Sequence, residues 1–319
     1  MPDAAPATLY PRAIPSILHT IQRARQGTYS IVARDPVTGA LGVAVQSHWF
    51  SVGPIVPWAR AGVGAVATQA NAEVSYGPHG LTLLERGADA TQALAQLVAA
   101  DPGAAGRQVA IVDAHGGVAA HTGASCVPYA GHVVGDAVSC QANIMANDTV
   151  WPSMLAAYTA AEGPFPERLL TALEAAEAAG GDIRGRQSAA ILVAPAAGEP
   201  WESLVSLRVE DHPEPLPELR RLLRLHDAYE LASRADELVY EERHEDAARL
   251  YRQASELAPE NHELRFWAGL GTAATGDLET AVRYVREAIA QQPGWGELLP
   301  RLPAEVAPSA RAVLDALGR

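Results

Sequence analysis

The stretch GTYSIVARDPVTGALGVAVQS (residues 27–47) carries the strongest fold signal in the chain. Thr28–Ala33 and Leu41–Gln46 are two short runs rich in β-branched and apolar residues, as strands are. The residues between them include DPVTG (35–39), in which Asp, Pro and Gly favour a tight turn. The sequence therefore predicts a β-hairpin whose first strand begins directly at Thr28.

Thr28 follows a glycine at the start of this hairpin, which is where an N-terminal nucleophile is needed. If the Gly27–Thr28 bond is cut, Thr28 gains a free α-amine beside its own hydroxyl. An α-amine has a pKa of about 7.7–8.0, so it can accept the hydroxyl proton near neutral pH. A Gly-Thr pair has little specificity by itself, and the interpretation depends on the rest of the chain.

Further strands and helices are predicted up to about residue 226. The strands are expected over Gly64–Gln69, Gln108–Asp113, Val118–Thr122, Ala137–Ile144, Ser188–Val193 and Leu204–Val209. Helices are expected over Gly80–Arg86, Ala90–Ala100, Thr149–Ala161, Pro166–Ala179 and Pro215–Leu225. Strands thus arrive in pairs and helices in pairs, unlike the βαβα alternation of a parallel sheet. This order predicts an α+β fold of antiparallel sheets with helices packed outside them.

Residues 28–226 also resemble a family of largely uncharacterised bacterial proteins in the N-terminal-nucleophile (Ntn) hydrolase superfamily. The matching segments are TYSIVARDPVTGALGVAVQS (28–47), GPIVPWARAGVGAVATQA (53–70), SYGPHGL (75–81), AAHTGASCVPYAGH (119–132), QANIM (141–145), GGDIRGRQSAAILV (180–193) and LRVEDHP (207–213). The resemblance implies a four-layer α/β/β/α sandwich. It also implies hydrolysis of an amide or related acyl bond, with a small-molecule or peptide substrate.

One departure from that family concerns residues 1–27. Family members commonly begin at or just before the threonine, whereas 27 residues precede Thr28 in this sequence. The segment is interpreted as an N-terminal extension or a propeptide removed autocatalytically; a misplaced start and a permanent cap are the alternatives. Only removal would give Thr28 its amine.

The chain contains no lysine, because all 24 of its basic residues are arginine. Proteasome-type sites place a lysine near the nucleophilic threonine, which this chain cannot do. Arg60, Arg184 or Arg186 could supply positive charge instead, but arginine cannot accept a proton. The Thr28 amine is then the expected base.

The remaining catalytic expectations concern polar side chains at strand ends and in one loop. Asn143 and Gln69 are candidate side-chain donors to an oxyanion. Asp182 could hold an arginine or orient the amine. Ordinary roles remain open as well, since Asn143 could satisfy backbone groups and Asp182 could form a salt bridge within its loop. The predicted catalytic set is Thr28, Asn143, Asp182 and Arg60.

A wider set of polar residues is expected to contact substrate: Gln46, Ser47, Gln69, Tyr76, His121, Arg184, Arg186 and Gln187. Several of these have plain structural explanations, such as a polar strand end at Gln46 and a helix start at Tyr76. A Cys126–His121 nucleophile pair is conceivable, although two residues near a turn more often pack or cap. No zinc-type histidine spacing is present, and no cofactor or metal is expected.

Composition excludes other classes of protein. The net charge of −13 disfavours a nucleic-acid binder. No apolar run approaches 18 residues, so no membrane span is expected. The two cysteines, Cys126 and Cys140, are too few for a disulfide scaffold, which favours a reduced, cytoplasmic setting.

The residues after 226 change character, and 227–319 is predicted to be a small all-α tetratricopeptide-like domain. A 34-residue period relates three pairs of positions: Ala247 and Ala281, Ala254 and Ala288, and Pro259 and Pro293. Thirteen acidic residues against seven arginines give residues 228–295 a net charge of −6. A solvated surface explains this acidity, and a surface for a protein partner is the alternative.

Three functions stay open from the sequence. The first is a threonine-dependent hydrolase, and the second is a non-catalytic binding or scaffold protein whose helical tail carries the function. The third is a small-molecule sensor that uses the same cleft without turnover. A homo-oligomer is expected in each case.

Overall fold

The computed structural model describes residues 27–318, so the extension expected over residues 1–27 lies outside it except for Gly27. The chain divides into two compact units, the first ending at Leu219 and the second beginning at Arg220. This division falls inside a single helix, Pro215–Tyr240.

Two antiparallel sheets form the first unit. The strands of the described residues are β1 Thr28–Arg34, β2 Leu41–Ser47, β3 Pro57–Arg60, β4 Gly64–Ala70, β5 Arg107–Asp113, β6 Val118–Thr122, β7 Gly131–Gly135, β8 Val138–Asn143, β9 Ser188–Ala194 and β10 Val205–Val209. One sheet has the order β10-β9-β2-β1-β8-β7 and the other has the order β3-β4-β5-β6. The predicted hairpin β1–β2 therefore lies at the centre of the larger sheet.

A pair of helices packs on each sheet. Helices α1 (Tyr76–Glu85) and α2 (Ala90–Ala100) cover the smaller sheet through one apolar cluster. Helices α3 (Val150–Ala160) and α4 (Phe165–Ala178) contact the strands of the larger sheet. A capping box starts α2 at Asp89. The Asp89 carboxylate accepts from the Gln92 backbone N–H, and the Gln92 side-chain oxygen accepts from the Asp89 backbone N–H.

The core of this unit lies between the two sheets. Alternate residues of each strand point to opposite faces, so one face of each sheet contributes to a shared apolar cluster. Its members are Val32, Leu41, Val43, Val45, Ala65, Ala67, Ala110, Val112 and their neighbours. Burial of this surface, together with the apolar surface beneath the helices, favours folding of the unit.

The turn between β1 and β2 matches the predicted signal. Asp35 Oδ2 accepts hydrogen bonds from the Thr38 backbone N–H and hydroxyl at 3.0 and 2.6 Å. Gly39 has a φ of +74°, which glycine adopts without steric cost. The turn sets a register that places Thr28 opposite Ser47.

The α+β class with two antiparallel sheets and a C-terminal helical region is confirmed. Two short strands were not predicted, namely β3 and β7, which lie at sheet edges and lack long β-branched runs. The helix expected over Pro215–Leu225 continues to Tyr240 as α5, because no glycine or proline interrupts residues 218–240.

The second unit is helical. After α5, its helices are α6 His244–Leu257, α7 His262–Ala274, α8 Leu278–Gln291, α9 Gly294–Leu298 and α10 Ala310–Ala316. The alanines of the 34-residue period are buried between these helices, and Gly269 lies where a Cβ would come within 2.8 Å of Val285. Small residues at these positions therefore let the helices approach closely.

Candidate functional site

Thr28 begins the central strand of the larger sheet. It pairs with Ser47 of β2 on one side and with Asn143 of β8 on the other. The residue is only 2% exposed. Because strands pair with it on both sides, the backbone position of Thr28 is fixed.

The hydroxyl of Thr28 belongs to a short chain of hydrogen bonds. Thr28 Oγ1 lies 3.0 Å from Ser47 Oγ, and Ser47 Oγ donates to the Gly27 carbonyl oxygen at 2.5 Å. A serine hydroxyl has a single hydrogen. Because Ser47 gives that hydrogen to Gly27, Thr28 is the donor in the bond between the two hydroxyls.

A charged pair borders the same carbonyl. Arg184 Nη2 donates to the Gly27 oxygen at 3.1 Å and to Asp182 Oδ2 at 2.7 Å. Arg184 Nε also donates to the other carboxylate oxygen, at 3.0 Å, which makes the pair bidentate. The Asp182 side chain is fully buried, whereas that of Arg184 is 25% exposed.

Only glycine fits beside this pair. A Cβ at position 27 would lie 2.5 Å from both Arg184 Nη2 and Asp182 Oδ2, closer than real Cβ contacts allow. A larger residue would therefore displace the arginine from the carbonyl. The glycine before Thr28 is thus explained by close approach of a charged pair.

A buried cluster of amides lies behind Thr28. Its carbonyl oxygen accepts from Gln69 Nε2 at 3.2 Å and from Asn143 Nδ2 at 3.4 Å. Both amides also donate to Gln108 Oε1, at 2.7 and 3.0 Å. In this structure the N–H groups of both amides are directed at Thr28 and Gln108, and their donation to an oxyanion stays a prediction. Both amides thus hold the Thr28 carbonyl in place.

The cluster extends along the inner face of β1. Ser30 Oγ donates to Gln69 Oε1 at 2.6 Å and accepts from Gln141 Nε2 at 2.6 Å. Ser139 Oγ donates to Gln141 Oε1 at 2.9 Å. Each of these side chains is at most 1% exposed, so their polar atoms depend on one another for hydrogen bonds.

Two residues next to the cluster have strained backbones. Ala70 follows Gln69 with a φ of +63°, and Ile144 follows Asn143 with a φ of +58°. Positive φ is unfavourable for residues with a Cβ and is an outlier for a β-branched one. Such strain collects at functional sites, where surrounding structure maintains it. Here the strained residues lie at the ends of β4 and β8, the strands that carry the two amides facing Thr28.

Gln46 does not join Thr28. It neighbours Ser47 in β2, but successive strand residues point to opposite faces, so its side chain lies on the outer face of the sheet. The buried amide N and O of Gln46 have no hydrogen-bond partner within residues 27–318. The Gln46 side chain therefore lies on the opposite face of the sheet from Thr28, and its contact with substrate stays a prediction.

The side chains of Arg186 and Gln187 pair with other groups, while the Gln187 backbone N–H donates to the Ser47 carbonyl oxygen at 3.1 Å. Arg186 Nε pairs with Glu177 at 2.9 Å, and Tyr29 donates to the same carboxylate at 2.7 Å from the outer face of β1. Burial and then the charge of Glu177 raise the pKa of Tyr29, which keeps the phenol protonated as a donor. Gln187 donates to Asp211 at 3.1 Å.

Arg60 was expected near the nucleophile, and its place in the sheet contradicts this. It pairs with Gly64 in β4, five residues from Gln69, a separation of about 16 Å along the strand. Its guanidinium forms an ion pair with Glu85 at 2.8 Å instead. The charge near Thr28 comes from Arg184 alone among the three arginines considered.

Tyr76 belongs to another part of the unit. It lines a cleft of about 580 Å³ beside α1 and α2, and its hydroxyl donates to Asp101 at 3.0 Å. Arg107 pairs with the same aspartate at 2.7 Å, and this hydrogen bond holds the pKa of Asp101 below its usual range. Burial raises the pKa of Tyr76. None of these groups contacts Thr28.

His121 and Cys126 do not form a nucleophile pair. His121 Nε2 lies 2.9 Å from the Ala104 carbonyl oxygen, while Cys126 Sγ donates to the Arg107 carbonyl at 3.3 Å. Burial raises the pKa of the Cys126 thiol, which disfavours the reactive thiolate. His121 also faces away from the layer that contains Thr28, since it pairs with Val109 of the outer apolar cluster.

Three residues of the cluster were not predicted from the sequence as site residues, namely Gln108, Gln141 and Ser30. Gln108 lies at the centre of the cluster, since its Nε2 donates to the carbonyl oxygen of Ala142 at 2.9 Å and its Oε1 accepts from two amides. Strand alternation could have identified them, because each is a polar residue at an inward-facing position of a largely apolar strand.

Neither a metal cluster nor a membrane span occurs among residues 27–318. No group of three or more His, Cys, Asp or Glu side chains in that range is arranged to hold a metal ion. No helix in the same range combines the length and apolar character needed to cross a bilayer.

Comparisons with known proteins agree on the first unit. A family model described as a family of unknown function, DUF1028, matches residues 28–219. A protein of Silicibacter pomeroyi with a crystal structure, also assigned to DUF1028, is 34% identical; the match covers 62% of this chain and 88% of that chain, with a TM-score of 0.57. No curated protein matches the chain significantly. Since the family model spans more than half of the sequence, the chain belongs to the DUF1028 family.

Proposed function

We propose that this protein hydrolyses an amide or related acyl bond with Thr28 as an N-terminal nucleophile, released by cleavage of the Gly27–Thr28 bond. The observation that carries the proposal is the pair of donors on the Gly27 carbonyl oxygen, Ser47 Oγ and Arg184 Nη2. Donors aimed at a carbonyl oxygen stabilise the negative charge that develops there during attack.

Release of Thr28 leaves its amine as the base. The amine accepts the proton of Thr28 Oγ, and Oγ attacks the substrate carbonyl to form an acyl-enzyme that water then hydrolyses. A substrate carbonyl that takes the place of the Gly27 carbonyl meets the same two donors. Arg184 stays charged throughout and supplies electrostatic stabilisation, while Asp182 fixes its orientation.

The layered packing of the first unit supports the Ntn assignment. A helix pair lies outside each of two facing antiparallel sheets, which is the order expected for a four-layer α/β/β/α sandwich. An N-terminal nucleophile is needed at the start of the hairpin, and Thr28 begins β1 there.

We infer that residues 228–295 form two tetratricopeptide-like repeats that bind a protein partner. The alanines that recur with the 34-residue period are buried in α6 and α8. Tyr251 fills the large position of the first repeat and donates to Asp236 at 2.5 Å. The acidic surface favours a basic partner.

A β-lactone probe tests the nucleophile even while the substrate is unidentified. The probe acylates an activated hydroxyl, and peptide mass spectrometry locates the adduct. We expect labelling on Thr28 in the wild-type protein and its loss in Thr28→Ala. Thr68→Ala is the matched control, since Thr68 is an equally buried strand threonine whose hydroxyl donates to the Glu73 carbonyl. Protein cleaved at Gly27 whose Thr28 stays unlabelled would contradict the enzyme proposal.

A further inference from the structure

We propose that Ser47 is a catalytic residue of self-cleavage, relaying a proton from the Thr28 hydroxyl to the Gly27 carbonyl oxygen. This inference rests on the proposed function and assigns the chemistry that would expose Thr28. In the uncut chain the Thr28 nitrogen is an amide, so the amine base of the mature site does not yet exist. The precursor therefore needs another route for the hydroxyl proton.

The hydrogen bonds around Gly27 provide that route. Thr28 Oγ1 donates to Ser47 Oγ across 3.0 Å, and Ser47 Oγ donates to the Gly27 oxygen. Both bonds run in the direction in which protons must move when Oγ attacks the preceding carbonyl. The chain has no lysine that could replace them, and the Arg184 guanidinium cannot accept a proton.

The first step forms a bond between Thr28 Oγ and the Gly27 carbonyl carbon, which closes a five-membered ring. The Thr28 proton passes to Ser47 Oγ as the Ser47 proton passes to the Gly27 oxygen. The product is a neutral cyclic intermediate with a hydroxyl on the former carbonyl carbon. Arg184 Nη2 stabilises the oxygen while charge develops on it.

The second step breaks the bond between the Gly27 carbon and the Thr28 nitrogen. The proton of the new hydroxyl moves to that nitrogen, and the products are a Gly27 ester on Thr28 Oγ and a free Thr28 amine. Water then hydrolyses the ester, which gives a Gly27 carboxylate and restores the Thr28 hydroxyl. One water is consumed and one peptide bond is broken.

The position of Ser47 suits this role. It is 0% exposed, and the register of the hairpin places it directly opposite Thr28. Ser188 provides a matched comparison because it pairs with Ser47 across the next strand and is equally buried. Its hydroxyl donates to the Trp49 carbonyl and accepts from the Val52 backbone N–H, away from Gly27.

The test follows the appearance of the Thr28 N-terminus by mass spectrometry in full-length chain made by cell-free synthesis. Removing a proton-transfer group costs about 10²–10⁴-fold in rate, so we expect Ser47→Ala to slow cleavage by about 100-fold or more. Ser188→Ala should cleave within about threefold of the wild type. Circular dichroism verifies that each variant is folded.

A second measurement needs no variant. In mixtures of H₂O and D₂O, transfer of two protons gives a wild-type cleavage rate that bows below the straight line between the pure solvents. A linear dependence, or a folded Ser47→Ala that cleaves at the wild-type rate, would overturn the relay alone. A wild-type chain that never cleaves would overturn both the relay and the proposed function.

Discussion

The layer between the two sheets has an apolar half and a polar half. At one end, Val32, Leu41 and Val43 meet Ala110 and Val112 across the sheets. At the other end, β1, β4, β5 and β8 carry a hydrogen-bonded cluster that comprises Thr28, Ser30, Gln69, Gln108, Gln141 and Asn143. The side chains of this layer thus change from apolar to polar along the strands.

The two halves contribute differently to the protein. Apolar contacts are non-directional and stabilise the fold roughly in proportion to buried area. Buried amides cost free energy unless every polar atom finds a partner, but their hydrogen bonds fix geometry. We therefore propose that the polar half positions Thr28, while the apolar half stabilises the unit. Mutations in the apolar half should lower stability alone, whereas mutations in the polar half should slow cleavage.

The largest effect is expected at the nucleophile. Thr28→Ala removes the attacking oxygen, and loss of a nucleophile lowers the rate by about 10³-fold or more. Self-cleavage should be undetectable, while the melting temperature stays near that of the wild-type precursor. Thr28→Ser keeps a hydroxyl and should still cleave. Efficient cleavage of Thr28→Ala, measured by mass spectrometry, would show that another group performs the reaction.

A mutation in the apolar half should show the opposite pattern. Leu41→Ala leaves a cavity between the sheets, and such changes lower the free energy of unfolding by about 2–5 kcal/mol. Urea titration measures that loss. At a temperature where the variant is folded, its cleavage rate should match that of the wild type. A strongly reduced rate in the folded variant would mean that the halves are not separable.

Gln108→Leu should affect both measurements. The substitution removes the acceptor shared by Gln69 and Asn143, and each unsatisfied buried group costs about 1–3 kcal/mol. The two amides would then turn from the Thr28 carbonyl, and misplacement of this kind slows reactions by about 10- to 100-fold. Unfolding and cleavage are measured as for Leu41→Ala. A stability loss with an unchanged rate would limit the cluster to a packing role.

The smallest effect is expected at Arg60. Its ion pair with Glu85 is partly exposed, and such pairs contribute about 0–1 kcal/mol. Arg60→Ala should therefore leave both the unfolding free energy and the cleavage rate nearly unchanged. Arg184→Ala serves as the contrasting variant, with slowed cleavage expected. Equal effects of the two substitutions would remove the special role given to the arginine beside Gly27.

The fold was largely predictable from the sequence, because strand alternation, turn residues and helix periodicity are local signals. The hairpin at Thr28 and the capped helix at Ala90 illustrate this. The site was only partly predictable. Thr28, Asp182 and Arg184 stood out by residue type, but distance along the chain could not show that Arg60, in β3, lies beside the end of β4 that is remote from Gln69. Gln46 lies on the opposite face of the sheet from Thr28 because adjacent strand residues face opposite sides.

The proposed function depends most on release of Thr28. The intact mass of the purified protein, expressed from the full sequence with a C-terminal tag, measures that release. We predict a species that lacks residues 1–27 and begins at Thr28, with the Thr28→Ala variant remaining at full mass. A wild-type protein that stays full length after prolonged incubation at neutral pH would contradict the assignment of Thr28 as an N-terminal nucleophile.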